Sequence, residues 1–298
     1  MKSWRRLNLN SAEMPSPHLG RVGLWPRLGR WAITAAFLIC WPGSALALDD
    51  FSSGDNQVRT SYDHSLSGSL NPSPRSFTEA LKIFLTIPFR EDGAQDREGR
   101  WVTFNQPDIY LGSPGFNCSG FTIAAARVLL GRNFSLSEAS LDRRGDSGPG
   151  AALGQDWDFG LDLILNLAEA YPHRYLPEPD DPAEAPLIPL RPGRSLGWGV
   201  DIHGPQFEEL LRQISPDNFC FFVFSRPDGR FPAGVSYYHV GVIVPEGSSR
   251  WLYHTTLGAK TNRIDLGSQE GLARLRRYFK PVANGERRVF MVEVTPPR

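Results

Sequence analysis

The chemistry this sequence offers is carried by one cysteine and two histidines. Cys118 stands in Phe116-Asn117-Cys118-Ser119-Gly120-Phe121-Thr122, directly before the apolar, helix-compatible segment Ile123 to Leu130. At the start of a helix, unpaired backbone N–H groups and the positive end of the macrodipole favour a thiolate over a thiol. Ser119 and Gly120 are small, so a substrate carbonyl can approach the backbone and meet an N–H as its oxygen becomes negative. His239 lies in Tyr237-Tyr238-His239-Val240-Gly241-Val242-Ile243-Val244, and His254 in Trp251-Leu252-Tyr253-His254-Thr255-Thr256. Pro245-Glu246-Gly247-Ser248 between them is turn chemistry, so the two runs are predicted to form a hairpin. A turn centred between Glu246 and Gly247 would set the histidines directly opposite each other on one face, with Cβ atoms roughly 5 Å apart. A one-residue slip of register would send one of them to the other face.

A thiol nucleophile needs a base to take its proton, and the base needs a third group to hold its ring and tautomer. Cys118, His239 and His254 supply those three parts. The plainer readings are a buried cysteine in an amphipathic helix and two histidines with ordinary hydrogen bonds. Zinc is a further reading, since the ligand types fit, but no pair has the close spacing of a structural site.

Several elements must position these side chains. Ser76-Phe77-Thr78-Glu79 opens a short helix with Ala80, Leu81, Phe84 and Leu85 on its apolar side, stopped by Pro88. Trp101 to Phe104 reads as a short strand, and Ser113-Pro114-Gly115 as the turn that leads to the cysteine helix, which Gly131 caps. Between Gly131 and Asp217 the pattern is less regular, with a helix expected over Phe159 to Ala170 and a Pro-rich stretch from Pro172 to Pro192. The segment of about 132–203 therefore reads as an insertion over the surface or beside a cleft. An amphipathic helix is expected from Pro205 to Ile214, with Phe207, Leu210, Leu211 and Ile214 inward. Strands follow at Phe219 to Phe224, Tyr237 to Val244, Arg250 to Leu257 and Arg288 to Val294, with a helix over Gly271 to Lys280. A cysteine helix followed by a mainly antiparallel sheet is an α+β order.

Asn117-Cys118-Ser119-Gly120-Phe121, then His239-Val240-Gly241-Val242 and then His254, resembles the NlpC-type cell-wall cysteine peptidases. These form a branch of the papain-like clan with relatives among the CHAP amidases. The resemblance covers roughly Tyr110 to Leu130 and Phe219 to Leu257. It implies a papain-like NlpC-type fold with Cys118 as nucleophile, His239 as base, His254 as orienting residue, and Tyr110 with Ser119 near the oxyanion site. It further implies hydrolysis of an amide bond in a peptidoglycan peptide, next to a D-amino acid, with no cofactor. Asn117 replaces the family's usual aspartate, a tolerable change at a helix cap. The gap between Cys118 and His239 is longer than the family's compact form. Acyl transfer to an amine on the same scaffold, and a catalytically silent wall-binding module, are the alternative readings.

Composition and address bound these readings. The chain has 298 residues and a formal net charge of +0, which gives no sign of nucleic acid as a partner and suits a monomer of one or two domains. Arg5, Arg6, Arg21, Arg27 and Arg30 precede the apolar run from Trp31 to Trp41, and Ala45-Leu46-Ala47 follows. This reads as a signal peptide over residues 1–47, cut after Ala47, with Met1 or Met14 as the start. The run is too short to span a bilayer comfortably, and an uncleaved anchor is the other reading. Both place the body of the protein outside the cytoplasm, periplasmic or secreted. Cys40 would leave with the signal, and residues 48–75 form a polar, flexible lead-in to a single domain over 76–298. In an oxidising compartment Cys118 and Cys220 could pair, although Phe219 to Phe224 has the pattern of a buried strand, in which Cys220 is an inert thiol. Arg274, Arg276, Arg277 and Lys280 read as a solvated helix face.

Overall fold

The computed structural model describes residues 76–145, 156–180, 183, 188, 197–281 and 286–297. The expected signal peptide and lead-in lie outside the described residues. In chain order the elements are α1 (Phe77–Leu81) with a 3-10 turn (Lys82–Phe84), β1 (Gly93–Gln95), β2 (Trp101–Thr103), α2 (Cys118–Leu130), α3 (Leu136–Ala139) and α4 (Phe159–Ala168). Then come β3 (His173–Leu176), β4 (Val200–Asp201), α5 (Pro205–Gln213), β5 (Phe219–Pro227), β6 (Val235–Glu246), β7 (Ser249–His254), β8 (Asn262–Asp265), α6 (Gln269–Tyr278) and β9 (Arg288–Val294). The expected α+β class is what the chain adopts.

A seven-stranded antiparallel sheet forms the centre, in the order β3-β9-β5-β6-β7-β8, with β4 also paired to β9. Its central strands explain themselves by sequence. Phe219-Cys220-Phe221-Phe222-Val223-Phe224 is apolar at every position because both faces of the strand are covered. Phe219, Phe221 and Val223 join the core that contains α2 and α4, whereas Cys220, Phe222 and Phe224 join the core beneath α5 and α6. Both cysteines of the described chain are free, and they belong to these two different cores, so no disulfide joins them.

Helix α2 begins where Asn117 caps it, its side chain accepting from the Gly120 N–H at 2.7 Å, and it ends at Gly131 with φ of 63°. Phe121, Ile123 and Leu130 are buried along it, and each such side chain contributes about 1.5–3 kcal/mol through burial. Gly120 lies so close to β1 that an added Cβ would sit 2.3 Å from the Gly93 carbonyl oxygen. Gly120→Ala must therefore push the start of α2 off β1, and the expected cost is about 1–3 kcal/mol. Urea unfolding checks this, and an unchanged midpoint would show that the contact yields freely.

Two expectations need correction. The described part of the segment of about 132–203 is not confined to the surface. α4 buries Leu161, Leu163, Ile164, Leu165 and Leu167 in the main core, and β3 pairs with β9 through His173↔Val294 to Leu176↔Met291. Its sequence hides this because the strand follows a proline and is only four residues long, so it has no visible alternation. The basic run on α6 is not wholly solvated either. Arg276 donates to the Ile202 carbonyl at 3.0 Å and pairs with Glu208 at 3.0 Å, which ties α6 to α5.

Candidate active site

The β6–β7 hairpin forms as predicted, but its turn is shifted. Glu246 pairs with Ser249 and Val242 with Tyr253, so the loop is Gly247-Ser248, with Gly247 at φ of 58°. Moving the turn by one residue shifts the pairing by two, and a two-residue shift preserves the face of every side chain. His239 and His254 are therefore diagonal neighbours on one face instead of directly opposed. Their ring centroids are 5.3 Å apart at 82°, and His239 Nε2 is hydrogen-bonded to His254 Nδ1 at 3.1 Å.

That face is the one beneath α6. His239 is 7% exposed and His254 fully buried, and the His239 ring lies 5.1 Å from Phe279, 5.8 Å from Phe224 and 6.1 Å from Phe222. A register break opposite Phe224/Ser225 occurs just here in β6, where Phe224 pairs with His239 but Ser225 with Tyr237. It leaves both Tyr238 and His239 directed at the second core, and Val240 returns to the first. Burial holds the His239 imidazole well below the usual histidine range, helped by His254 and Arg287. Burial likewise lowers His254, to about 4, against an opposing contribution from Asn262.

Cys118 approaches the same strand from the other side. It is half-buried against the core that holds α2, Val240 and Val242. The paired part of β7 ends opposite Val242, and the Val240 N–H beyond it is close enough to favour a negative sulfur without forming a hydrogen bond of good geometry. Ser119 is buried, with its Oγ 4.0 Å from Cys118 Sγ, and the Ser119 and Cys118 N–H groups also act on the sulfur. Those donors favour the thiolate, but burial outweighs them and pushes the thiol up from its ordinary value. The resting structure thus holds a neutral thiol on one side of β6 and a pair of neutral imidazoles on the other. Among the described residues no hydrogen bond joins Cys118 to His239, because one reaches β6 from the α2 side and the other lies under α6.

The site residues expected from sequence therefore separate into groups. The structure brings His239 to His254, and Ser119 to Cys118, and it packs the thiol into the core that holds Val240, the residue after His239. Tyr110 stands apart: its side chain is 58% exposed, Arg100 stacks on it at 4.9 Å, and no described contact links it to Cys118. The place near the oxyanion that the family resemblance assigns to it is not supported by this geometry. The loop holding it pairs back on β2 through Val102↔Tyr110, which carries the ring outward.

One residue escaped the sequence reading. Asn262 pairs with His254 across β7 and β8, and its Nδ2 donates to the Lys260 carbonyl at 3.0 Å, which turns Oδ1 toward the histidine. Asn262 Oδ1 and His254 Nε2 are each buried without a hydrogen bond of good geometry, yet Asn262 still favours the charged form of His254. The run Asn262 to Asp265 gave no strand signal of its own, being short and polar at three of four positions. No group of His, Cys, Asp and Glu among the described residues is placed to hold a metal ion. No described helix is long and apolar enough to cross a membrane.

No protein-family model, curated protein or solved structure matches this chain.

Proposed function

We propose that this protein is a cysteine hydrolase acting outside the cytoplasm, and more particularly a bacterial enzyme that cleaves an amide bond in peptidoglycan peptide. The observation that carries the reading is a single strand, β6, that has a helix-start cysteine in the core of Val240 and a hydrogen-bonded imidazole pair beginning one residue earlier, at His239. The resemblance of both sequence motifs to NlpC-type peptidases supports the same class.

The polar chain beyond His239 gives the base its direction. An acceptor at Asn262 Oδ1 selects a proton on His254 Nε2, which leaves His254 Nδ1 to accept from His239 Nε2. His239 Nδ1 then has the free lone pair that can take the thiol proton. Cys118 sulfur attacks the carbonyl carbon, and the N–H groups at the start of α2 receive the negative oxygen. His239 returns the proton to the leaving amine, and water, deprotonated by the same imidazole, releases the thioester. In the resting geometry His239 is packed against Phe222, Phe224 and Phe279 on the side of β6 away from the core that holds Cys118, so this proton transfer requires a rearrangement of β6 that brings the imidazole to the sulfur.

Digestion of purified peptidoglycan tests this reading. The expected result is new amino groups and peptide fragments whose masses fit cleavage at one amide bond. If no wall fragment yields an amine, the reading fails.

The separation of Cys118 from His239 favours a second reading, a wall-binding module whose thiol does no chemistry. Its signature is a Cys118 that iodoacetamide leaves untouched in the folded protein.

A further inference from the structure

Two arginines gather on Tyr238, the residue before His239. Arg287 is only 4% exposed, and its Nη1 donates to the Tyr238 hydroxyl while Nε donates to the Lys280 carbonyl. Its guanidinium carbon lies 5.4 Å from the Tyr238 ring centre, and that of Arg226 lies 4.7 Å from the same ring. Two like charges on one ring repel, and a buried guanidinium is costly unless an anion meets it. Among the described residues no carboxylate pairs with Arg287, and Nη2 makes no hydrogen bond. The carboxylate nearest Arg226 belongs to Asp228, which is 3.9 Å away and already bound by Arg230 at 2.6 Å and 2.9 Å. The cluster therefore has a surplus of positive charge and an unused donor.

It also lies within electrostatic reach of the thiol. Cys118 acts electrostatically on the Tyr238 hydroxyl, and Arg287 on the His239 ring. Tyr238 thus feels the charge of both the sulfur and the guanidinium groups.

We propose that Arg226 and Arg287, held on Tyr238, form a subsite for a carboxylate of the substrate, so that the amide cleaved is one flanked by a free carboxylate group. The inference deepens the hydrolase reading and rests on it for the word substrate, but not for the anion site itself. Guanidinium groups suit this ligand because their planar forks match a carboxylate, and partial burial strengthens the contact by excluding water. An amidated neighbour would leave the arginines uncompensated and would be rejected.

Competing alkylation tests the subsite without any turnover. The full-length protein is treated with iodoacetate or iodoacetamide, and modification of Cys118 is followed by mass spectrometry of its peptide. In either reaction sulfur displaces iodide, and the two reagents differ in that one carries a carboxylate and the other a neutral amide. The reactivity of the thiol cancels in the ratio of their rates, which isolates the reagent's charge. The ratio of iodoacetate to iodoacetamide is expected to exceed that of glutathione by roughly tenfold, the weight of one charge-assisted hydrogen bond. Arg226→Gln, a change at a half-buried position that spares the fold, is expected to lower it at least about threefold, and Arg287→Gln further. A wild-type ratio equal to that of glutathione, or one that Arg226→Gln leaves unmoved, overturns the proposal. So does a Cys118 that neither reagent modifies, since the subsite would then be closed to ligand. Failure of the wall digestion removes the hydrolase reading and leaves this measurement intact, so the two can fail separately.

Discussion

On the proposed reading, Cys118→Ala is expected to lower the turnover of wall fragments by at least about a thousandfold, because it removes the sulfur that would form the acyl-enzyme. The resting state of the site sharpens this expectation. Burial raises the Cys118 thiol above its ordinary value in spite of the Val240, Ser119 and Cys118 donors, so at neutral pH the sulfur carries its proton. A base is then indispensable, and burial keeps His239 neutral and able to act as one. His239→Ala should cost almost as much as Cys118→Ala, and the double variant little more than either, since nucleophile and base act as a unit. Cleavage that survives in Cys118→Ala would take the chemistry away from this thiol. Additive losses in the double variant would show that the histidine acts elsewhere.

Acidification should destabilise the protein through the same imidazoles. His254 is fully buried with its basicity lowered to about 4, whereas an unfolded histidine takes up its proton near 6.5. Between those values the unfolded chain binds a proton that the folded chain refuses. Stability from this group is complete above about pH 6.5 and is lost as the pH falls toward 4, by on the order of 3 kcal/mol over the whole window. Asp162 works in the opposite sense. Burial raises its carboxyl to about 7, so its folded form gains a proton as the pH falls, and it offsets part of the loss. The informative quantity is therefore the difference between the wild type and His254→Gln. From about pH 7.5 to about pH 5 the wild type should lose roughly 2 kcal/mol more than the variant in urea unfolding. Equal losses would mean that His254 is not the group that titrates. A larger loss in the variant would reverse the sign and refute the burial argument.

Both predictions depend on how β6 presents adjacent residues to its two sides. Alternation in a strand sends neighbours to opposite faces, and the register break at Tyr238 and His239 changes which two share the second core. The result is a thiol and an imidazole that meet the same strand from different sides. It also gathers Tyr238, Arg287 and Arg226 on the imidazole side.

Much of this was legible in the sequence because it is local. The Asn117 cap and the Gly131 terminus bracket α2, since each follows from the hydrogen bonds of a helix end. The apolar run at Phe219 announces a strand covered on both faces, and the turn residues after Val244 announce a hairpin. The common face of His239 and His254 also follows from pattern, and it survived an error in the turn because a shifted turn moves the pairing in steps of two. What the sequence could not determine depends on groups far apart in the chain. β3 is a strand because β9 offers it an edge, and α4 is core because the sheet has a face to cover. Asn262 reaches His254 through the pairing of β7 with β8, and Arg226 meets Arg287 through the fold, not through spacing. The side of β6 on which the imidazoles lie belongs with these. Periodicity fixes which residues share a face, but only the packing of α2 on one side and α6 on the other decides which face meets the thiol.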